Sequence, residues 1–224
     1  LYSIVTANER RWSQLYKPDS RAVPLTDWGR EQAALMCDYV KELSFDKAVC
    51  SGLPRTVETA EGILKGRGLK IEVMSEFEEI RSDPDRYKNL KSLHDVAYAF
   101  EGAHLPGARY GEGESFLEFE ARIVTGMMHL VADKSWQNLA LIAHGGVNRA
   151  ILGWASGASL GAFHAFDQNT CCLNIVDVDT HPDTGEIRRM TVRGMNITPY
   201  DPVKKNVDKL ALEMIAERMR AKYG

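Results

Sequence analysis

The sequence predicts a single α/β domain over residues 1–224: a three-layer α/β/α sandwich around a mostly parallel central sheet. Three observations predict it. Short apolar runs alternate along the chain with longer segments whose apolar residues recur at helical spacing. Leu139-Ala140-Leu141-Ile142-Ala143 is apolar at every position, the pattern of a strand covered on both faces. A length of 224 residues is the upper end of one domain and is enough to bury a large core.

Taken in order, Ile4-Val5 closes a first short strand. Pro24-Leu25-Thr26-Asp27-Trp28-Gly29 prepares a helix start that Thr26 or Asp27 can cap. Gln32, Ala33, Leu35, Met36, Tyr39, Val40 and Leu43 are read as its apolar stripe. Lys47-Ala48-Val49-Cys50-Ser51 is a second strand, and Pro54–Ala60 opens a second helix with Ile63 and Leu64 on its apolar face. Ile71-Glu72-Val73-Met74 alternates strictly and reads as a third strand. From 80 to 112 the periodicity fails. Ser82-Asp83-Pro84-Asp85 is turn-like, and Gly102, Pro106, Gly107 and Gly111 interrupt the chain. This stretch is read as an insertion, helical in part around Leu90–Phe100, and either a substrate lid or a passive surface excursion. Phe116, Phe119, Ile123, Met127, Leu130 and Val131 mark a helix over 116–132. The run 139–143 stops at His144-Gly145-Gly146 and a helix follows over Val147–Ala155. Cys171–Val178 and Ile187–Val192 read as two late strands joined at Pro182-Asp183-Thr184-Gly185, and residues 203–223 as a charged terminal helix.

Composition narrows the function classes. A net charge of -3 gives no electrostatic case for nucleic-acid or membrane binding. No apolar run approaches the ~18 residues of a membrane span. Leu1 leads directly into a strand-like segment rather than a leader, so a cytoplasmic protein is expected. Four cysteines (Cys37, Cys50, Cys171, Cys172) make no disulfide framework in a chain this size. Cys171 and Cys172, adjacent in a strand-like run, are expected to face opposite ways as free, partly buried thiols. No Cys-x-x-Cys or paired-histidine spacing is present, so neither a metal nor another cofactor is expected. The sequence leaves the oligomeric state open, a homodimer included.

In α/β sheets, ligands sit beyond the carboxyl ends of the strands. Three distant segments place polar residues at such ends: Thr6-Ala7-Asn8-Glu9, Ser51-Gly52-Leu53-Pro54-Arg55 and His144-Gly145-Gly146. Their convergence is stronger evidence than any one of them. Arg55 has the planar fork that grips phosphate or carboxylate oxygens in pairs. Gly145 and Gly146 expose backbone N–H groups to an anion at the start of a helix.

These segments also carry a resemblance. Ser51-Gly52-Leu53-Pro54-Arg55-Thr56-Val57-Glu58-Thr59-Ala60, Ala143-His144-Gly145-Gly146-Val147-Asn148-Arg149, Pro24-Leu25-Thr26-Asp27-Trp28-Gly29-Arg30-Glu31-Gln32-Ala33 and Gly113-Glu114-Ser115 followed by Arg122 are similar to motifs of the histidine phosphatase (phosphoglycerate-mutase-like) superfamily. The resemblance runs from the first strand to about residue 178. It implies phosphoryl transfer through a nucleophilic histidine at the end of the first strand, inside a cluster of cations, with a carboxylic acid protonating the leaving oxygen. On that mapping the expected ligand is a small anionic molecule, Arg55 is a phosphate-clamp arginine, His144 the second histidine and Glu79 the proton-donating carboxylate, with Glu78 the fallback. Glu9 keeps the acidic residue of the first motif.

At the first strand the sequence departs from the family. Thr6, Ala7 and Asn8 stand where the family has Arg-His-Gly. A methyl group can neither attack phosphorus nor hold a phosphoryl group, and Thr6 removes one positive charge. Asn8 tolerates left-handed backbone, so the turn can survive. Three readings follow: a divergent member that binds an anion, with Thr6, Asn8, Glu9, Arg55 and Gly145 among its ligands; altered chemistry run by Arg55, Glu79 and His144; or an active phosphomonoesterase or mutase-type enzyme that uses a rescuing residue, Arg10 or Arg11 supplying the lost charge. Recruitment of a divalent metal by Glu9, Glu79 and His144 is a minor variant.

Overall fold

The computed structural model describes residues 2–4, 20–83, 94–205, 209–210, 212–214 and 216–217, and every structural statement below concerns these. The elements are β1 (Tyr2–Ile4), α1 (Asp27–Tyr39), β2 (Lys47–Cys50), α2 (Pro54–Ile63), β3 (Ile71–Val73), α3 (His94–Ala97), α4 (Phe116–Ala132), β4 (Leu139–Ile142), α5 (Gly145–Ser156), β5 (Leu173–Thr180) and β6 (Ile187–Ile197). β2 runs parallel to β3 on one side and to β4 on the other, with Cys50 opposite both Val73 and Ile142. The carboxyl ends of these three strands therefore come out level. β1 lies beside β4 and pairs antiparallel with β5, and β5 pairs antiparallel with β6.

Alternation along β2 and β4 divides the core between two faces. Val49, Leu139, Leu141 and Ala143 pack with Phe119, Ile123 and Met127 of α4 and Val147 and Ile151 of α5. Ala48, Cys50, Ala140 and Ile142 turn the other way, onto Ala33 and Met36 of α1 and Ala60 and Ile63 of α2. Every residue of β4 is fully buried, as its unbroken apolar run requires. Each such Leu, Ile or Met side chain contributes about 1.5–3 kcal/mol of transfer free energy. Helices on both faces of a sheet with a parallel portion make this the α/β sandwich expected.

Several element boundaries and faces differ from expectation for local reasons. On α1 the buried side is Gly29, Gln32, Ala33 and Met36, whereas Leu35 and Tyr39 are exposed. They stand about 100° around the helix from Met36 and Val40, so they fall off the stripe. Thr26 is the cap that forms, its hydroxyl accepting the Gly29 N–H at 3.0 Å. α5 begins at Gly145, two residues before Val147, because both glycines adopt helical backbone. β6 continues to Ile197, paired with Leu173. Cys171 and Cys172 precede β5, in a turn where Cys171 takes φ +50°, and both are free and fully rather than partly buried, Cys171 in the core with α1 and α2 and Cys172 with its thiol 3.3 Å from the Gln168 side-chain oxygen. Among the described residues of the 80–112 stretch the helix covers His94–Ala97, and residues 90–93 of the helix expected around Leu90–Phe100 lie outside the described residues. Val203 and Lys205 lie in turns, so no terminal helix starts at 203, while 212–214 and 216–217 are helical. Among the described residues no helix is long and apolar enough to cross a membrane.

α4 starts at a capping box. Ser115 accepts the Glu118 N–H at 3.2 Å, and the Glu118 carboxylate accepts the Ser115 N–H at 3.3 Å. Ser115→Ala is expected to cost about 1 kcal/mol. A urea titration checks it as a lower midpoint at unchanged slope.

Candidate functional site

The strand ends place the site. Ser51 and Gly52 follow β2 and lead into Pro54 and Arg55 at the first turn of α2. Gly52 takes φ +85° with Val73 of β3 packed against it, a turn that an L side chain would strain. Arg55 is buried, 3% exposed, on the first turn of a helix whose other face packs into the core. A guanidinium placed there is already desolvated, which strengthens a paired grip on an anion.

His144 caps α5 in extended backbone and is equally buried. Its Nε2 lies 2.9 Å from the Ser51 hydroxyl, which lies 2.8 Å from the Thr56 hydroxyl, which donates to the Leu53 carbonyl at 2.8 Å. This relay locks the imidazole to the turn that carries Arg55. The motif residues Ser51, Thr56 and His144, 93 positions apart at the extremes, thus act as one unit.

Glu79 reaches the same corner from the loop after the short 3₁₀ turn Ser75–Phe77. One carboxylate oxygen accepts the Gly146 N–H at 3.1 Å and the other accepts the Ile80 N–H at 3.0 Å. A Cβ on Gly146 would stand 2.3 Å from that second oxygen, so glycine at this position is what lets the carboxylate reach the start of α5. Glu78, the fallback acid, is committed elsewhere. It is ion-paired to Arg21 at 2.5 Å and to Arg81 at 3.2 Å. Burial pushes its carboxyl up, but the two guanidinium partners outweigh that and hold it below the usual glutamate value.

The expected residues Arg55, Gly145, His144 and Glu79 are therefore gathered at one end of the sheet, the first three on neighbouring strand ends and the last bonded to Gly146. Thr6, Ala7, Asn8 and Glu9 lie outside the described residues, as do Arg10 and Arg11. No group of three or more His, Cys, Asp or Glu suited to a metal occurs among the described residues.

Two groups of residues beside the site were not expected. Arg149, on α5, is buried and donates to the Phe163 and His164 carbonyls at 3.1 and 3.4 Å, stacks over Phe100 at 5.2 Å and lies 3.6 Å from Asp167. It ties the 94–112 stretch to α5, and Phe100 in turn meets Phe116 and Phe163 edge-on. Behind it Asn148, Gln168 and Asn174 form a buried network in which the Gln168 oxygen accepts from both asparagine amides at 2.9 and 2.7 Å. The signal for both was available: Asn148 and Arg149 interrupt an otherwise apolar helix face, and buried polar residues need partners.

Comparison with known proteins fixes the family. The sequence model of the histidine phosphatase superfamily (branch 1) matches residues 9–192, most of the chain. The chain belongs to the histidine phosphatase superfamily. The match begins at Glu9, directly after Thr6-Ala7-Asn8. The chain is 26% identical over 158 residues to an adenosylcobalamin/alpha-ribazole phosphatase of Salmonella typhimurium, covering 69% of this chain and 78% of that one. It is 26% identical over 183 residues to a probable phosphoglycerate mutase of Photorhabdus laumondii, covering 80% and 85%. Among solved structures it shares its fold with a histidine-to-alanine mutant of phosphoserine phosphatase from Entamoeba histolytica in complex with phosphoserine, at a TM-score of 0.65 and 17% identity over 87% of this chain and 95% of that one. Members of this superfamily thus include both phosphatase and mutase relatives of the chain.

Proposed function

We propose that this superfamily member binds a small phosphate- or carboxylate-bearing molecule and does not form a phosphohistidine. The observation that carries the reading is a contrast. Arg55, Ser51, His144, Glu79 and Gly146 are present, buried or hydrogen-bonded to one another, while Ala7 stands where the nucleophile is expected. An anion would be gripped by Arg55 and by the N–H groups at the start of α5, around Gly145, where the helix dipole also favours negative charge. Thr6, Asn8 and Glu9 would complete the binding loop. A phosphoserine phosphatase of the same fold, with one histidine replaced by alanine, is found in complex with phosphoserine, which supports the reading that this fold can hold a phosphomonoester in a chain that has lost a histidine.

A second reading has its own support. Glu79 and His144 flank the start of α5, an arrangement suited to general acid–base chemistry on a bound ester or on water. That reading predicts slow turnover that His144→Ala or Glu79→Gln abolishes.

The test is calorimetry and phosphate release on one panel of phosphomonoesters, orthophosphate included. The binding reading expects saturable heat with no phosphate released. Release abolished by His144→Ala or Glu79→Gln would move the account to the second reading. No binding of any anion would overturn both.

A further inference from the structure

We propose that Arg122 is a positioning residue that holds Glu79 against the start of α5, with Glu114 as its counter-ion. The inference rests on the functional reading for Glu79's importance, though not for its placement. Glu79 has no regular structure to hold it: residues 78–83 are neither helix nor strand. Arg122 projects from α4 and supplies what is missing. One terminal nitrogen donates to the Glu76 carbonyl at 2.6 Å and the Glu78 carbonyl at 2.8 Å. The other reaches the Glu79 carbonyl at 3.4 Å. The rest of the fork engages Glu114, Nε to one oxygen at 2.7 Å and the second terminal nitrogen to the other at 3.0 Å.

Glu114 then closes the far side of the same loop. Its carboxylate accepts the Arg81 N–H at 3.1 Å, and its own N–H donates to the Arg81 carbonyl at 2.7 Å. The backbone on both sides of Glu79 is thereby clamped to the start of α4. A Cβ on Gly113 would stand 2.2 Å from the Arg81 carbonyl oxygen, so the clamp also needs glycine there. The guanidinium lies over the Phe119 ring at 4.8 Å, and that ring lines the space beside Gly146. One side chain therefore touches both the loop that carries Glu79 and the aromatic ring next to the amide that Glu79 binds. Lysine cannot replace it, because three donors on one nitrogen cannot span three carbonyls and both oxygens of a carboxylate.

The experiment reads the Gly146 amide by ¹H–¹⁵N NMR in the full chain, since Glu79 bonds that N–H directly. Glu79→Gln marks the resonance position when the contact is altered. Arg122→Lys and Glu114→Gln are each expected to move the Gly146 resonance toward that position, and neither is expected to move it further when added to Glu79→Gln. If Arg122→Lys does not fold, Glu114→Gln decides alone. A Gly146 resonance unmoved in the folded variants, with only thermal stability lowered, would reduce Arg122 to a structural brace and overturn the proposal. Orthophosphate affinity, measured in parallel, reports on the functional reading separately.

Discussion

The combined change Thr6→Arg, Ala7→His, Asn8→Gly is expected to raise phosphomonoester turnover by roughly 10⁴- to 10⁶-fold over the native chain, the range spanned when a nucleophile is removed from an enzyme whose other site groups remain. The size follows from what is left in place. Arg55 is buried on the first turn of α2, His144 is tied to that turn through Ser51 and Thr56, and Glu79 is bonded at the start of α5. A histidine added to this frame meets positioned partners, and the added arginine restores a second cation for the charge on the transferring group. Phosphate release over the panel measures it. Ala7→His alone is expected to recover less, because the positive charge that Thr6 removes from around the transferring group is still missing. If neither the triple variant nor the native chain releases phosphate, the remaining residues are not poised for chemistry and binding is their role.

Arg55→Met is expected to weaken orthophosphate binding by roughly 100-fold. Methionine keeps much of the length and the apolar contacts of the arginine stem, so the change isolates the charge and its fork. Two charge-assisted hydrogen bonds contribute about 3 kcal/mol between them, and each 1.4 kcal/mol is a factor of ten. Calorimetry at fixed ionic strength measures the ratio. Arg55→Lys is expected to fall between the two, since a lysine keeps the charge and loses the paired geometry. Equal affinity in all three would place the anion elsewhere.

Legibility in the sequence followed the physics of each element. β4 and α4 could be read almost to the residue, because Leu139–Ile142 is apolar throughout and the seven core residues of α4 keep strict helical spacing. The strand-end rule put Arg55 and His144 at the site, since a polar residue directly after a buried strand has few other places to go. Glu79 came from resemblance, and nothing in local sequence separates it from Glu78. Contacts distant in sequence tell the two apart: Glu78 pairs with Arg21, 57 positions away, and with Arg81, whereas Glu79 accepts the Gly146 N–H, 67 positions away. Arg122 was legible as a motif residue but its action was not, because it is exerted on carbonyls more than 40 positions away. The same limit applied to the turn at Cys171, where a left-handed residue inside an apolar run looks like strand until the chain is folded.

Covalent trapping decides whether the native chain forms a phosphohistidine. The native chain and its Thr6→Arg, Ala7→His, Asn8→Gly form are incubated with a phosphomonoester carrying a labelled phosphoryl group, denatured, and examined for protein-bound label. Label is expected on the restored chain, stable to base and lost in acid as a phosphohistidine is, and none on the native chain despite its binding the same ester. Acid-labile label on the native chain would mean that another histidine carries the phosphoryl group although Ala7 cannot, and that the native chain is a phosphohistidine enzyme after all.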